Sequence, residues 1–183
     1  MIAVVALVLA LAFGAADQYL GSLSAHHWAA DVSLLSAPWL LVAFVTGWTQ
    51  RSARRAALLG FACTLIALVG YGLMTLSPVE NAHLTLQSGA AFVRSGLGVF
   101  GGAIVTGPLF GWFGYRWRAA RAWVGASITA VAVLLEPLAH SAAGGSFRFP
   151  VVSAVEMAVG VAMIFYVAAT AARSTQSSRN SLR

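Results

Sequence analysis

Apolar and polar positions along this chain are grouped in long blocks, with no fine alternation. Six runs rich in Ala, Val, Leu, Ile, Phe and Gly cover residues 2–20, 32–48, 56–76, 89–114, 122–138 and 151–172, separated by short polar segments. Each is close to the roughly 20 residues a helix needs to cross a hydrocarbon core of about 30 Å. A soluble helix keeps a polar face; runs apolar on every side belong in lipid. The pattern predicts an all-α polytopic membrane protein: one bundle of six transmembrane helices over residues 1–172, with a polar, disordered tail at 173–183.

Composition agrees. Hydrophobic residues make up 60% of the 183 positions and charged ones 9%, with a mean hydropathy of +0.83, whereas a soluble domain carries about 25% charged residues. The first run lacks the basic flank of a secretory leader, and Asp17 inside it favours a retained helix over cleavage at the small-x-small pattern of Ser22–Ser24.

The net charge of +6 matters less than where the charges lie. There is no Lys, and nine of the eleven Arg fall in three clusters: Arg51, Arg54 and Arg55; Arg116, Arg118 and Arg121; Arg173, Arg179 and Arg183. Short Arg-rich loops stay cytoplasmic. Six spans with both termini inside put all three clusters on that face, giving an N-in/C-in, multi-pass plasma-membrane protein whose arginines meet lipid headgroups. No aromatic-interleaved basic surface argues for nucleic acid. Trp48, Trp112, Trp117 and Trp123 near the inner boundary, and Trp28 near the outer one, read as an interfacial belt.

Two of these clusters belong to a repeated motif. Gly47–Arg54 and Gly114–Arg121 share a Gly, an aromatic, two residues, Arg, one residue, Ala and Arg, at a constant offset of 67 residues. The motif implies two related hairpins of the same orientation. Upstream of the second copy, Gly98 and Gly102, and Gly107 and Gly111, have the four-residue spacing that lets helix backbones approach closely, so the fourth helix is expected at the bundle centre. Pro108 is expected to kink it, and Pro38 falls in the second turn of the second run.

Five acidic residues are present, none in a cytoplasmic segment: Asp17, Asp31, Glu80, Glu136 and Glu156. Helix rise puts Asp17 about 22 Å and Glu136 about 21 Å above the inner ends of their helices. Glu156 and Arg94 fall about 8 Å below the outer ends of theirs. Trp39 and Tyr71 project near the same level, and His140 follows Glu136 by four residues with Pro137 between them. These seven residues define a candidate ligand-binding layer, because ionisable groups in a span usually face the bundle interior or a watery cavity. The alternative is a structural network in which the carboxylates pair with Arg94.

Other chemistry is sparse. The single Cys63 permits no intramolecular disulfide and reads as a small core residue. His26, His27, His83 and His140 with Asp31 are a weak external metal set, and we expect neither a metal nor a cofactor. No phosphate loop, nucleophile elbow or zinc-protease motif occurs.

Ala37–Trp39 (APW), Gly47 and Gly101–Arg118 (GGAIVTGPLFGWFGYRWR) together resemble a six-helix membrane protein family of actinobacteria. The resemblance covers most of the chain and implies the fold, while bringing no assigned activity or functional residues. A looser resemblance is to the substrate-capture S-components of energy-coupling-factor transporters, which dock through small residues on their first helix. Ala6 and Ala10, and Ala12 and Ala16, have that spacing here. The leading expectation is a protein that binds or transports a small molecule through an outward-facing polar pocket. Two alternatives stay open. One is a membrane enzyme acting on a lipid or isoprenoid, with Glu136 or Glu156 as general acid or base. The other is an accessory subunit that meets another membrane protein through helix 1 or helix 4.

Overall fold

The computed structural model describes residues 2–180 other than 24, 146 and 148, and of 174–180 the backbone alone. The described residues form eight α-helices: α1 (Ile2–Ser22), α2 (His27–Ser33), α3 (Ala37–Trp48), α4 (Ala53–Thr75), α5 (Leu86–Ser95), α6 (Leu97–Ala120), α7 (Trp123–Ala142) and α8 (Pro150–Asn180). Five of them (α1, α4, α6, α7 and the Pro150–Arg173 part of α8) are long and apolar enough to cross a membrane. The chain is a helical membrane protein.

Three boundaries differ from the sequence expectation, each for a local reason. The run 32–48 is not one helix. It breaks between Ser33 and Ala37, and α2 and α3 meet at 51°. Pro38 sits at the start of α3, not in a second turn, where its missing N–H costs no intrahelical bond. The run 89–114 is likewise two helices. Thr85 and Ser88 form a capping box that starts α5 at Leu86, and the chain breaks at Gly96 before α6. The tail expected to be disordered continues α8 as far as Asn180.

Other helix ends follow from local chemistry. Ser52 caps α4, its hydroxyl accepting the Arg55 N–H at 3.4 Å. Arg121 ends α6 in the left-handed region, φ 48°, its N–H on the Trp117 carbonyl at 3.1 Å. Pro108 lies within α6 without ending it, and α7 runs through Pro137 to carry His140 on the same helix as Glu136.

Small residues set the packing. In lipid the apolar effect does not drive helices together, so close backbone contact must do so. The α1–α4 crossing is built on Gly14 and Gly70: a Cβ at Gly14 would strike the Ala67 carbonyl, and one at Gly70 the Leu11 carbonyl. Around it Ala10, Leu59, Cys63 and Ala67 form a buried cluster with Phe13 and Trp39 packed against it. α6 lies between α4 and α3. A side chain at Gly60 would meet the Gly107 carbonyl, one at Gly47 the Gly111 carbonyl, and one at Gly114 the Phe44 carbonyl. Gly107 and Gly111 therefore face α4 and α3. The other expected packing pair is corrected: Gly98 and Gly102 are exposed, and a Cβ at either would meet open space. α8 packs on α7, where Gly160 abuts the Leu134 backbone, and Trp117, Ala126 and Val167 join this pair to α6. Buried hydroxyls are satisfied inside their own helices, Thr64 on the Gly60 carbonyl at 2.8 Å and Thr129 on the Gly125 carbonyl at 2.9 Å.

Both copies of the arginine motif meet in space. The α3 and α6 ends that carry Gly47 and Gly114 cross at those glycines. Arg118 then reaches back to the end of α3, donating to the carbonyls of Trp48 at 3.3 Å, Thr49 at 3.1 Å and Gln50 at 3.5 Å, while its guanidinium lies over the Trp48 ring.

Candidate functional site

α3 is the element on which the site is built. It has 12 residues, about 18 Å of helix by its rise, and a partner from another helix caps each end. At its C-terminus the cation is Arg118, bound to the last carbonyls. At its N-terminus the anion is Glu136 of α7, whose two carboxyl oxygens accept the N–H groups of Ser36 and of Ala37, the latter at 2.6 Å. Pro38 has no N–H, and Trp39 bonds the Ser36 carbonyl at 3.0 Å. The opening donors of α3 are thus all accounted for, and Glu136 is essential to that account because the Ser36 side chain makes no cap bond. Opposite charges at the two ends complement the helix dipole.

Beside the N-terminal end of α3 lies a cavity of about 470 Å³. α1 contributes Asp17, α2 Ser33, the α2–α3 link Leu34 to Ser36, α3 Trp39 and α4 Thr64 and Tyr71; α5 and α6 close it with Phe92, Phe100, Gly102 and Thr106. Asp17 is buried, 6% exposed, and its Oδ2 accepts the Trp39 indole N–H at 3.3 Å. From there a row of rings runs along the wall: Trp39–Tyr71 at 6.2 Å between centroids, Tyr71–Phe92 at 6.3 Å and Phe92–Phe100 at 6.0 Å. A mostly apolar concavity with a few convergent polar groups is the usual form of a small-molecule site.

Of the seven residues expected in one layer, the structure brings Asp17, Trp39 and Tyr71 into this cavity and separates the other four. Arg94 is exposed on α5, because the helix ends at Ser95 before entering the bundle. The expected cluster of carboxylates around this guanidinium does not form. Glu136 commits both oxygens to α3. His140 stacks against Phe147, their ring centroids 4.6 Å apart. Glu156 lies beside Glu136 and lines a second, apolar cavity of about 630 Å³ between the α2–α3 pair and α8. It is 5% exposed, and its polar neighbour is the like carboxyl of Glu136.

Asp31, set aside in sequence as a weak metal ligand, is buried and instead accepts the Phe149 N–H at 2.6 Å, tying α2 to the start of α8. Among the described residues no three His, Cys, Asp or Glu side chains converge as a metal set would. Sequence reasoning missed Ser36, Thr64, Phe92 and Phe100. Ser36 had a readable signal, a Ser followed by Ala-Pro at a helix start; the two phenylalanines had none, since their role depends on how α5 folds over the cavity.

No protein-family model matches the chain, and neither does a curated protein or a solved structure.

Proposed function

We propose that this is a six-span plasma-membrane protein with both termini cytoplasmic, the bent α2–α3 pair counting as one span, that binds or transports a small molecule through the Asp17 cavity from the outer side. The observation that carries the reading is a roughly 470 Å³ concavity with a buried carboxyl and an aromatic wall. Its position supports the direction of access. The cavity adjoins the N-terminus of α3, and the arginines gather at the C-terminus, where Arg118 touches the segment leading to Arg51. If arginines mark the cytoplasmic face, the cavity opens away from it.

Of the alternatives, acid–base catalysis by Glu136 fits less well, because both of its oxygens already hold α3. Membrane lipids surround the exposed valines and leucines of α1 and α8, and a membrane partner docking through α1 in the manner of an S-component would meet Ala12 and Ala16, which are exposed. Native mass spectrometry of protein purified from its own membranes tests the binding reading. Wild type should retain a small molecule that Gly102→Trp, which fills the cavity from a position with open space around its Cβ, releases. Retention of the same molecule by both proteins, or by neither, would overturn it.

A further inference from the structure

We propose that the Asp17 cavity selects an organic monocation, a molecule with an apolar or aromatic body and one ammonium-type charge. This rests on the binding reading above and narrows it to a ligand class. Among the described residues lining the cavity, Asp17 is the one charged side chain, and no basic group accompanies it. Among the described residues its one hydrogen-bond donor is the neutral Trp39 indole, at the long distance of 3.3 Å. A buried carboxylate held by one weak donor lacks a counter-charge, and a bound cation supplies it.

The surroundings fit such a guest. The ring row from Trp39 through Tyr71 and Phe92 to Phe100 offers π-faces that attract cations and cover apolar substituents. An anionic ligand would face Asp17 with no basic residue to receive it. A bare metal ion would lack its oxygen cage, since no second carboxylate shares the cavity and no three ligating groups converge among the described residues. The volume suits a compact organic guest.

The test uses two molecules of the same shape that differ by one charge: benzyltrimethylammonium and its neutral carbon analogue neopentylbenzene. Binding to the full chain in lipid nanodiscs is measured by saturation-transfer NMR, with protein-free nanodiscs subtracted. Wild type should bind the cation at least ten-fold more tightly than the neutral compound. Asp17→Asn should bring the ratio near one, Asp17→Glu should keep the preference, and Gly102→Trp should lose both ligands. Protection of the buried Cys63 thiol establishes that each variant is folded. A ratio near one in wild type, with binding still lost in Gly102→Trp, overturns the cation class and leaves the binding reading standing. Equal binding to wild type and Gly102→Trp, or no binding of either compound, overturns both.

Discussion

The clearest prediction concerns Glu136, since two backbone donors at the start of α3 depend on that one side chain. A hydrogen bond to a charged group is worth about 1.5–3 kcal/mol net. Ser36 is exposed, so its N–H can find water and counts at the low end, while Ala37 is buried and counts in full. The favourable anion–dipole interaction, about 0.3–2 kcal/mol, overlaps with these bonds and adds little. Glu136→Leu should therefore destabilise the protein by about 3–4 kcal/mol. Glu136→Gln keeps one acceptor oxygen and loses the charge, so about 1–2 kcal/mol is expected. Cys63 is 0% exposed, so the midpoint of its maleimide labelling in a denaturant titration reports unfolding directly. Amide exchange at Ser36 and Ala37 locates the effect. If both variants unfold within about 0.5 kcal/mol of wild type and those two amides keep their protection, Glu136 does not hold α3 and the capping argument fails.

At the other end of α3, Arg118→Gln should cost about 0.5–1 kcal/mol. Combined with Glu136→Gln across a helix about 18 Å long, the effects should add to within about 0.5 kcal/mol; strong non-additivity in the same titration would mean the two caps act on one local element. Glycine substitutions should divide sharply. Gly98→Ala, with open space around its Cβ, should be neutral or gain up to about 1 kcal/mol from helix propensity, whereas Gly114→Ala, which drives a methyl into the Phe44 carbonyl, should lose about 1–3 kcal/mol or more; equal melting temperatures would contradict the α3–α6 crossing. Glu156→Met should stabilise the fold, by about 1–3 kcal/mol, because it removes a buried carboxyl set against the like carboxyl of Glu136; a clear loss of stability would show that the Glu156–Glu136 contact supports the fold.

How much of this could be read from the sequence depended on the range of the interaction. Apolar blocks near 20 residues give the helical membrane class, because lipid constrains every position of a span alike. Clustered arginines suggest the faces, and the repeat of Gly47–Arg54 at Gly114–Arg121, read as two related hairpins, marks two helix ends that the structure brings into contact. Helix rise compares depths but not azimuths, and so it could not separate Asp17, which meets the Trp39 indole, from Glu136, which caps the start of α3. It also assumed straight helices. The break at Leu34–Ser36 depends on a cap supplied from about 100 residues away, which no local pattern announces, although Ser36 with Pro38 marked where α3 would begin. Arg94 was misplaced for a similar reason. Continuous apolar character across residues 89–114 hides the break at Gly96, and the capping box at Thr85 and Ser88 lies in the polar segment before that run.

Whether the Asp17 cavity holds a ligand is decided by an experimental density map, in lipid, of the protein purified from its own membrane. Density for a small organic molecule is expected against Asp17, Trp39 and Tyr71, with Glu136 on the N-terminus of α3. A well-resolved map in which those three side chains pack against one another, or acyl chains alone fill the space, would contradict it.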